Sequence, residues 1–221
     1  MHWSSVPIHF IDFEGNLTSG ILEYGVVTLN AGEIVRTETR LCGAAGRIRS
    51  ADTALHGLAE RDVAGAAPFT GEFETFARLR ETGPLGAHFA QAENALIKSV
   101  WPYPRTSPDF SRPGSTSGDW GPWIDTGRLY LQIFPTLASG QLSELIDRFQ
   151  LAPRLHALVE AHCPATRRHY HAALFDTLAA AVLFLDLANR PEFREATIPW
   201  FLQISTVNAE KRADLQQREL F

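Results

Sequence analysis

The chain has 221 residues, of which 45% are hydrophobic, 20% charged and 10% aromatic, with a net charge of -5. That length suits one large domain able to bury a core without staples, and the composition excludes intrinsic disorder, collagen and coiled coil. Acidity argues against a simple basic nucleic-acid binder but leaves room for an enzyme that meets phosphate through bound metal ions.

Two cysteines, Cys42 and Cys163, form no C-x-x-C and no disulfide framework, which points to a reducing, cytoplasmic setting. The first fifteen residues show no signal-peptide pattern, and the apolar run 178–185 is too short to span a bilayer, so no membrane partner is expected.

Residues 8–13 form a nearly continuous apolar run that reads as a buried strand. Strands are predicted over 21–29 and 34–42, joined as a hairpin through Asn30-Ala31-Gly32-Glu33. Helices or helical turns follow over 51–64 and 73–81, around a loop at Ala67-Pro68-Phe69. A short strand at 84–88 leads into a helix at 90–101. Residues 123–125 end another strand, and a helix follows at 126–134. Leu142, Leu145, Ile146 and Phe149 fall at i, i+3, i+4 and i+7, so 141–150 is an amphipathic helix. A short helix around Leu155 stops at Pro164, and the longest helix runs over about 171–188, with Pro191 beyond it. A hairpin followed by alternating strands and helices indicates an α/β or α+β sandwich on one sheet.

Residues 101–122 hold five prolines, three glycines and four serines, and read as a long irregular loop. Tyr103, Phe110, Trp120, Arg105 and Arg112 in it could stack on bases or touch phosphates. The favoured reading is a surface loop with its aromatics tucked onto the core.

Asp12 and Glu14 lie two apart on a strand, so both leave the same face about 6.6 Å apart. Ile8 and Phe10 share that face, which turns from apolar to doubly acidic at the strand's C-terminal end. Such a pair is either solvated or shares a hard divalent cation, since carboxylate oxygens suit Mg²⁺ and Mn²⁺. Downstream, His88 stands five residues before Glu93, Ile124-Asp125-Thr126 ends a strand, and His171 stands five before Asp176. His156, His162, Cys163, His169 and His171 crowd together but lack zinc-ligand spacing. No P-loop, nucleophile elbow or Rossmann glycine fingerprint occurs. Arg167 and Arg168 read equally as phosphate contacts or as a solvated turn.

The order D-x-E, H-x4-acid, I-D-T, H-x4-D resembles the DEDDh family of 3′–5′ exonucleases, which includes the proofreading subunit of DNA polymerase III and RNase T. Glu23-Tyr24-Gly25-Val26-Val27 resembles the family's second strand. His56-Gly57-Leu58, Asp62-Val63 and Ala67-Pro68-Phe69 resemble a further segment. The likeness covers about residues 7–187. It implies a ribonuclease H-like α/β fold: a mixed five-stranded sheet with the Asp12 strand central and helices on both faces. One exonuclease domain over 1–221 is expected, with the irregular loop at 101–122 and a C-terminal helical extension at 191–221.

The resemblance further implies removal of nucleotides from the 3′ end of single-stranded DNA or RNA, releasing nucleoside 5′-monophosphates. Asp12, Glu14, Asp176 and Glu93 match the carboxylates that hold two Mg²⁺ or Mn²⁺ ions, and His171 matches the general base. Phe13, Gly15, Leu17, His88, Phe89 and Arg168 fall at substrate-binding positions. Two departures stand out. Glu93 replaces the family's usual aspartate, and Gly15-Asn16-Leu17 stand where Thr-Thr-Gly is common. The rival expectation is a catalytically impaired nuclease fold serving as a nucleic-acid or protein-binding module. A homodimer or a polymerase or repair partner is left open.

Overall fold

The structure, a computed structural model, describes residues 1–206. Strands β1 (Ile8–Asn16), β2 (Gly20–Asn30) and β3 (Glu33–Leu41) open the chain. Helices α1 (Ser50–His56), α2 (Glu60–Val63) and α3 (Phe73–Thr82) follow, then β4 (Leu85–Ala87) and α4 (Gln91–Val100). Next come the two-residue strands β5 (Ser107–Pro108), β6 (Thr116–Ser117) and β7 (Ile124–Asp125). Helices α5 (Thr126–Ile133), α6 (Leu142–Arg148), α7 (Ala152–His162), α8 (Ala173–Ala188) and α9 (Ile198–Ser205) complete the described chain. No helix among the described residues is long and apolar enough to cross a membrane.

The main sheet is mixed and five-stranded, in the order β3-β2-β1-β4-β7, which is the expected fold class with the Asp12 strand at the centre. β1 runs antiparallel to β2, with Asp12 opposite Gly25 and Glu14 opposite Glu23, and parallel to β4. The β2–β3 hairpin turns at Ala31 and Gly32, both at positive φ, which matches the right-handed twist of its strands.

Strand periodicity sorts the two faces of β1. Ile8 and Phe10 join the core built on α8, whereas Ile11 and Phe13 pack with Phe69, Phe76 and Ile97 of the opposite layer. Fifteen residues of α8 are buried, so the helix is apolar all round: it lies between the sheet and α5, α6 and α7. Gly25 lets it approach, because a Cβ there would stand 2.4 Å from the Ala173 carbonyl oxygen. α8 thereby brings its first turn onto the acidic end of β1.

Three local expectations change. The helical stretch at 51–64 divides at Gly57, whose left-handed φ of 76° caps α1. The helix around Leu155 is a full eleven residues. Residues 101–122 contain a small antiparallel hairpin, β5–β6, and are ordered from beneath by buried Arg80. Its guanidinium donates to the carbonyls of Pro108 (2.7 Å) and Asp119 (3.2 Å). Phe110 and Trp120 tuck into the core, as favoured, while Tyr103 is exposed. Of the extension expected at 191–221, α9 is described; residues 207–221 lie outside the described residues.

Candidate active site

Four carboxylates converge from three elements. Asp12 and Glu14 come from the C-terminal half of β1, Glu93 from the first turn of α4 and Asp176 from the first turn of α8. Glu14, Glu93 and Asp176 are buried, and Asp12 is half-buried. Ligand atoms of Glu14, His171 and Asp176 all lie within 4.8 Å of one another.

Burial and mutual repulsion raise every one of these acids. Glu14 and Glu93 are each pushed up to about 8 and Asp176 to about 7, chiefly by burial, with neighbouring carboxylates adding to each, for Asp176 that of Glu23. Asp12 is held well above its ordinary value by burial and by the charges of Asp176, Glu14, Glu93 and Glu23. Acids so placed cannot all ionise unless a cation joins them.

Two buried oxygens, Asp176 Oδ1 and Glu93 Oε2, have no hydrogen-bond partner among the described residues. Since buried polar atoms are nearly always satisfied, this pair fits a site shaped for an ion. The four carboxylates offer hard oxygen donors suited to Mg²⁺ or Mn²⁺, with the softer imidazole of His171 beside them.

His171 lies two residues ahead of α8 rather than inside it, at a left-handed φ of 62°. Its backbone N–H donates to Asp176 Oδ2 at 3.0 Å, and its side chain is exposed. The H-x4-D spacing thus spans the bend that enters α8, across which the His171 N–H meets the Asp176 carboxylate.

The remaining residues singled out in the sequence divide. Leu17 is 71% exposed just past β1, an apolar side chain offered to solvent. Gly15 sits in the β1 bulge at φ 128°, where a Cβ would meet the Gly20 carbonyl oxygen at 2.2 Å. Phe89, at φ 55°, packs under Arg128, whose guanidinium stands 5.6 Å from the ring centroid.

Three side chains are committed elsewhere. Phe13 points to the opposite face of the sheet, among Phe69 and Phe76. His88 uses both ring nitrogens internally, accepting from Thr126 Oγ1 at 2.9 Å and donating to the Gly140 carbonyl at 2.8 Å. Arg168 is held by the Glu160 carboxylate and the Cys163 carbonyl.

Asp125, the acid of the I-D-T segment, accepts from the backbone N–H groups of Phe89, Ala90 and Arg128. It fastens α4 to α5 and so seats Glu93.

Two partners of the site stand in segments the sequence marked only for family likeness, with no site role given to either residue. Glu23 lies opposite Glu14 and is buried against Arg167, and His56 ends α1 beside them with Nε2 unpartnered among the described residues. The signal for Glu23 was a single acid within the apolar run ILEYGVV.

No protein-family model matches the chain, and no curated protein matches it in sequence. Solved structures do. Exonuclease X in complex with 5′-overhanging duplex DNA matches at a TM-score of 0.60 and 21% identity, over 88% of this chain and 99% of that one. The nuclease domain of 3′hExo, a DEDDh family member bound to rAMP, matches at 0.61 and 16%, over 87% and 96%. E. coli Exonuclease I in complex with a dT13 oligonucleotide matches at 0.58 and 11%, over 85% of this chain and 42% of that one. The chain shares the fold of the DEDDh 3′-exonucleases.

Proposed function

We propose that the protein is a divalent-metal-dependent 3′–5′ exonuclease acting on single-stranded DNA or RNA and releasing nucleoside 5′-monophosphates. The observation that carries this reading is the pair of buried carboxylate oxygens of Glu93 and Asp176 that have no partner among the described residues, set among Asp12, Glu14 and His171 on that fold.

Asp12, Glu14, Glu93 and Asp176 are the residues that would hold Mg²⁺ or Mn²⁺. Two such ions, when bound, would supply an activated water and a sink for the charge that develops in hydrolysis. They also offset the acid cluster, so an acidic protein can receive a polyanion. His171 takes the proton of the attacking water, since its imidazole is exposed yet close to Glu14 and Asp176. Leu17 and Phe89 are the apolar surfaces on which terminal bases rest. Gly15 allows the bulge that follows Glu14, since a Cβ there would strike the Gly20 carbonyl oxygen.

End-labelled single-stranded DNA and RNA, incubated with Mg²⁺, Mn²⁺ or EDTA beside the Asp12→Ala variant, provide the test. Expected is metal-dependent laddering from the 3′ end that the variant lacks. A folded wild type that leaves both substrates intact with either ion would make the protein a binding module on a nuclease fold.

A further inference from the structure

Glu23 is the one acid in the buried stretch of β2, and it faces Glu14 across the strand pair. Its neutralising partner comes from 144 residues away, in the 3₁₀ turn at Ala165–Arg167. Arg167 Nε and Nη2 donate to Glu23 Oε1 and Oε2 at 3.1 and 2.5 Å, the two-pronged geometry that guanidinium and carboxylate share.

Two of the three remaining guanidinium hydrogens are also used. Nη1 donates to the His56 carbonyl at 2.7 Å and Nη2 to the His171 carbonyl at 3.2 Å. Glu23 Oε2 further accepts the N–H of Ala173, the first residue of α8, at 3.1 Å. One buried ion pair therefore ties β2, the end of α1, the 168–172 segment and the start of α8 to a single point.

His171 gains most from this. Its left-handed backbone is disfavoured for a residue with a Cβ and persists only where its surroundings hold it. Asp176 takes its N–H and Arg167 takes its C=O, so both backbone polar groups are pinned while the imidazole stays exposed. A base near the attacking water needs that arrangement: a fixed root and a free ring.

We propose that Arg167, oriented by Glu23, is the positioning residue that fixes His171 beside the carboxylate cluster. The base role of His171 rests on the nuclease reading above; the tie itself does not. The positive charge of Arg167 also draws the Glu14 and Asp176 carboxyls downward, opposing the effect of burial. Lysine keeps that charge but cannot grip Glu23 with two prongs and reach both carbonyls.

The test uses the full chain with Arg167→Lys, His171→Ala and the two combined. His171→Ala keeps the carbonyl that Arg167 holds, so the two changes separate the ring from its tether. Misplacing a catalytic group by about 1 Å costs on the order of a hundredfold, so Arg167→Lys is expected to lower kcat by about 10- to 100-fold with KM within about twofold. In the His171→Ala background the same change should alter kcat by less than about twofold, because the group being positioned is gone. Equal losses in both backgrounds overturn the proposal.

Should Arg167→Lys fail to fold, the neutral pair Glu23→Gln with Arg167→Gln takes its place under the same criteria. Hydrogen exchange on the metal-free protein gives a readout free of activity. The amides of 168–173 should exchange at least about tenfold faster in the variant while the α8 interior keeps its protection. Unchanged exchange at 168–173 overturns the tie. A wild type without metal-dependent hydrolysis overturns the nuclease reading alone, and the exchange result then decides whether Arg167 anchors the segment.

Discussion

His88 and His171 each stand five residues ahead of an acid that joins the same cluster, yet the fold treats them in opposite ways. His88 leaves the sheet at the end of β4 and turns inward, where Thr126 and the Gly140 carbonyl use both of its nitrogens. Burial lowers its pKa to about 4, so it stays neutral and serves as a bracket between α5 and the loop before α6. His171 sits ahead of α8 with its backbone pinned and its ring exposed. The same spacing therefore yields a histidine whose ring is built into the fold and one whose ring is left exposed. The difference lies in which part of the residue the protein holds: the ring of His88, the backbone of His171.

The broadest test of the cluster to which both motifs lead is removal of an acid. Asp176→Ala or Asp12→Ala should lower hydrolysis roughly a thousandfold or more while leaving circular dichroism and the melting transition intact. Removing one acid relieves repulsion among buried like charges, so neither change should unfold the metal-free chain, although Asp176→Ala also takes the acceptor from the His171 N–H. Full activity in either variant would sink the mechanism.

Next in size is the contrast between the histidines themselves. His171→Ala should cost about 10²- to 10⁴-fold in kcat, the usual contribution of a general base, with little change in stability. His88→Ala should do the reverse. It leaves the Gly140 carbonyl without the ring N–H and Thr126 with only its long bond to the Ala87 carbonyl, costing about 1–3 kcal/mol in urea denaturation, with kcat of the folded fraction within about threefold. Comparable kcat losses in both variants would erase the distinction.

The sequence carried the frame of this site because its signals are local. Period-2 patterning put Ile8, Phe10, Asp12 and Glu14 on one face of β1, and the apolar run after Asp176 marked α8. The same periodicity places the Phe13 side chain on the other face, among Phe69 and Phe76. The fates of His88 and Arg167 were not legible. They depend on partners 38, 52 and 144 residues away, which no spacing rule reaches. Arg167 and Arg168 are adjacent and chemically alike, yet one closes a buried ion pair and the other lies against α7. The 101–122 loop owes its order to Arg80, an arginine on a helix whose other buried residues are apolar.

Stability against pH separates the two histidine motifs by sign. In the unfolded chain His88 titrates near 6.5, and in the fold near 4. Between those values the unfolded state binds more protons, so this contribution is lost as pH falls from 6.5 through 4. Glu14, Glu93 and Asp176 act the other way. Their folded values of about 8, 8 and 7 exceed the unfolded 4.5, 4.5 and 3.8, so the metal-free protein loses stability as pH rises through that window. Above pH 6.5 the carboxylates act without His88. The metal-free melting temperature should drop by several °C between pH 6.5 and 8, at roughly 2–4 °C per kcal/mol, and Mg²⁺ should abolish the drop. A flat profile without metal would mean that the cluster is already neutralised.

The smallest expected effect concerns Glu93, the acid that follows the buried histidine. Its backbone is fixed because Asp125 grips the N–H groups of Phe89 and Ala90 just before α4. Only side-chain length is then free to vary. Glu93 faces the charges of Asp125 and Asp176, and its Oε2 is unpartnered among the described residues, so the longer side chain already reaches the cluster. Glu93→Asp withdraws the carboxylate by one methylene without changing its charge, and an ion held by several other carboxylates can shift to follow it. Activity on labelled single strands should stay within about tenfold of wild type, far from the loss in Asp176→Ala. A loss as complete as that of Asp176→Ala would show that the site is built around the glutamate's reach. Hydrolysis that appears only in Glu93→Asp would show that the wild-type chain has drifted from catalysis at this one position.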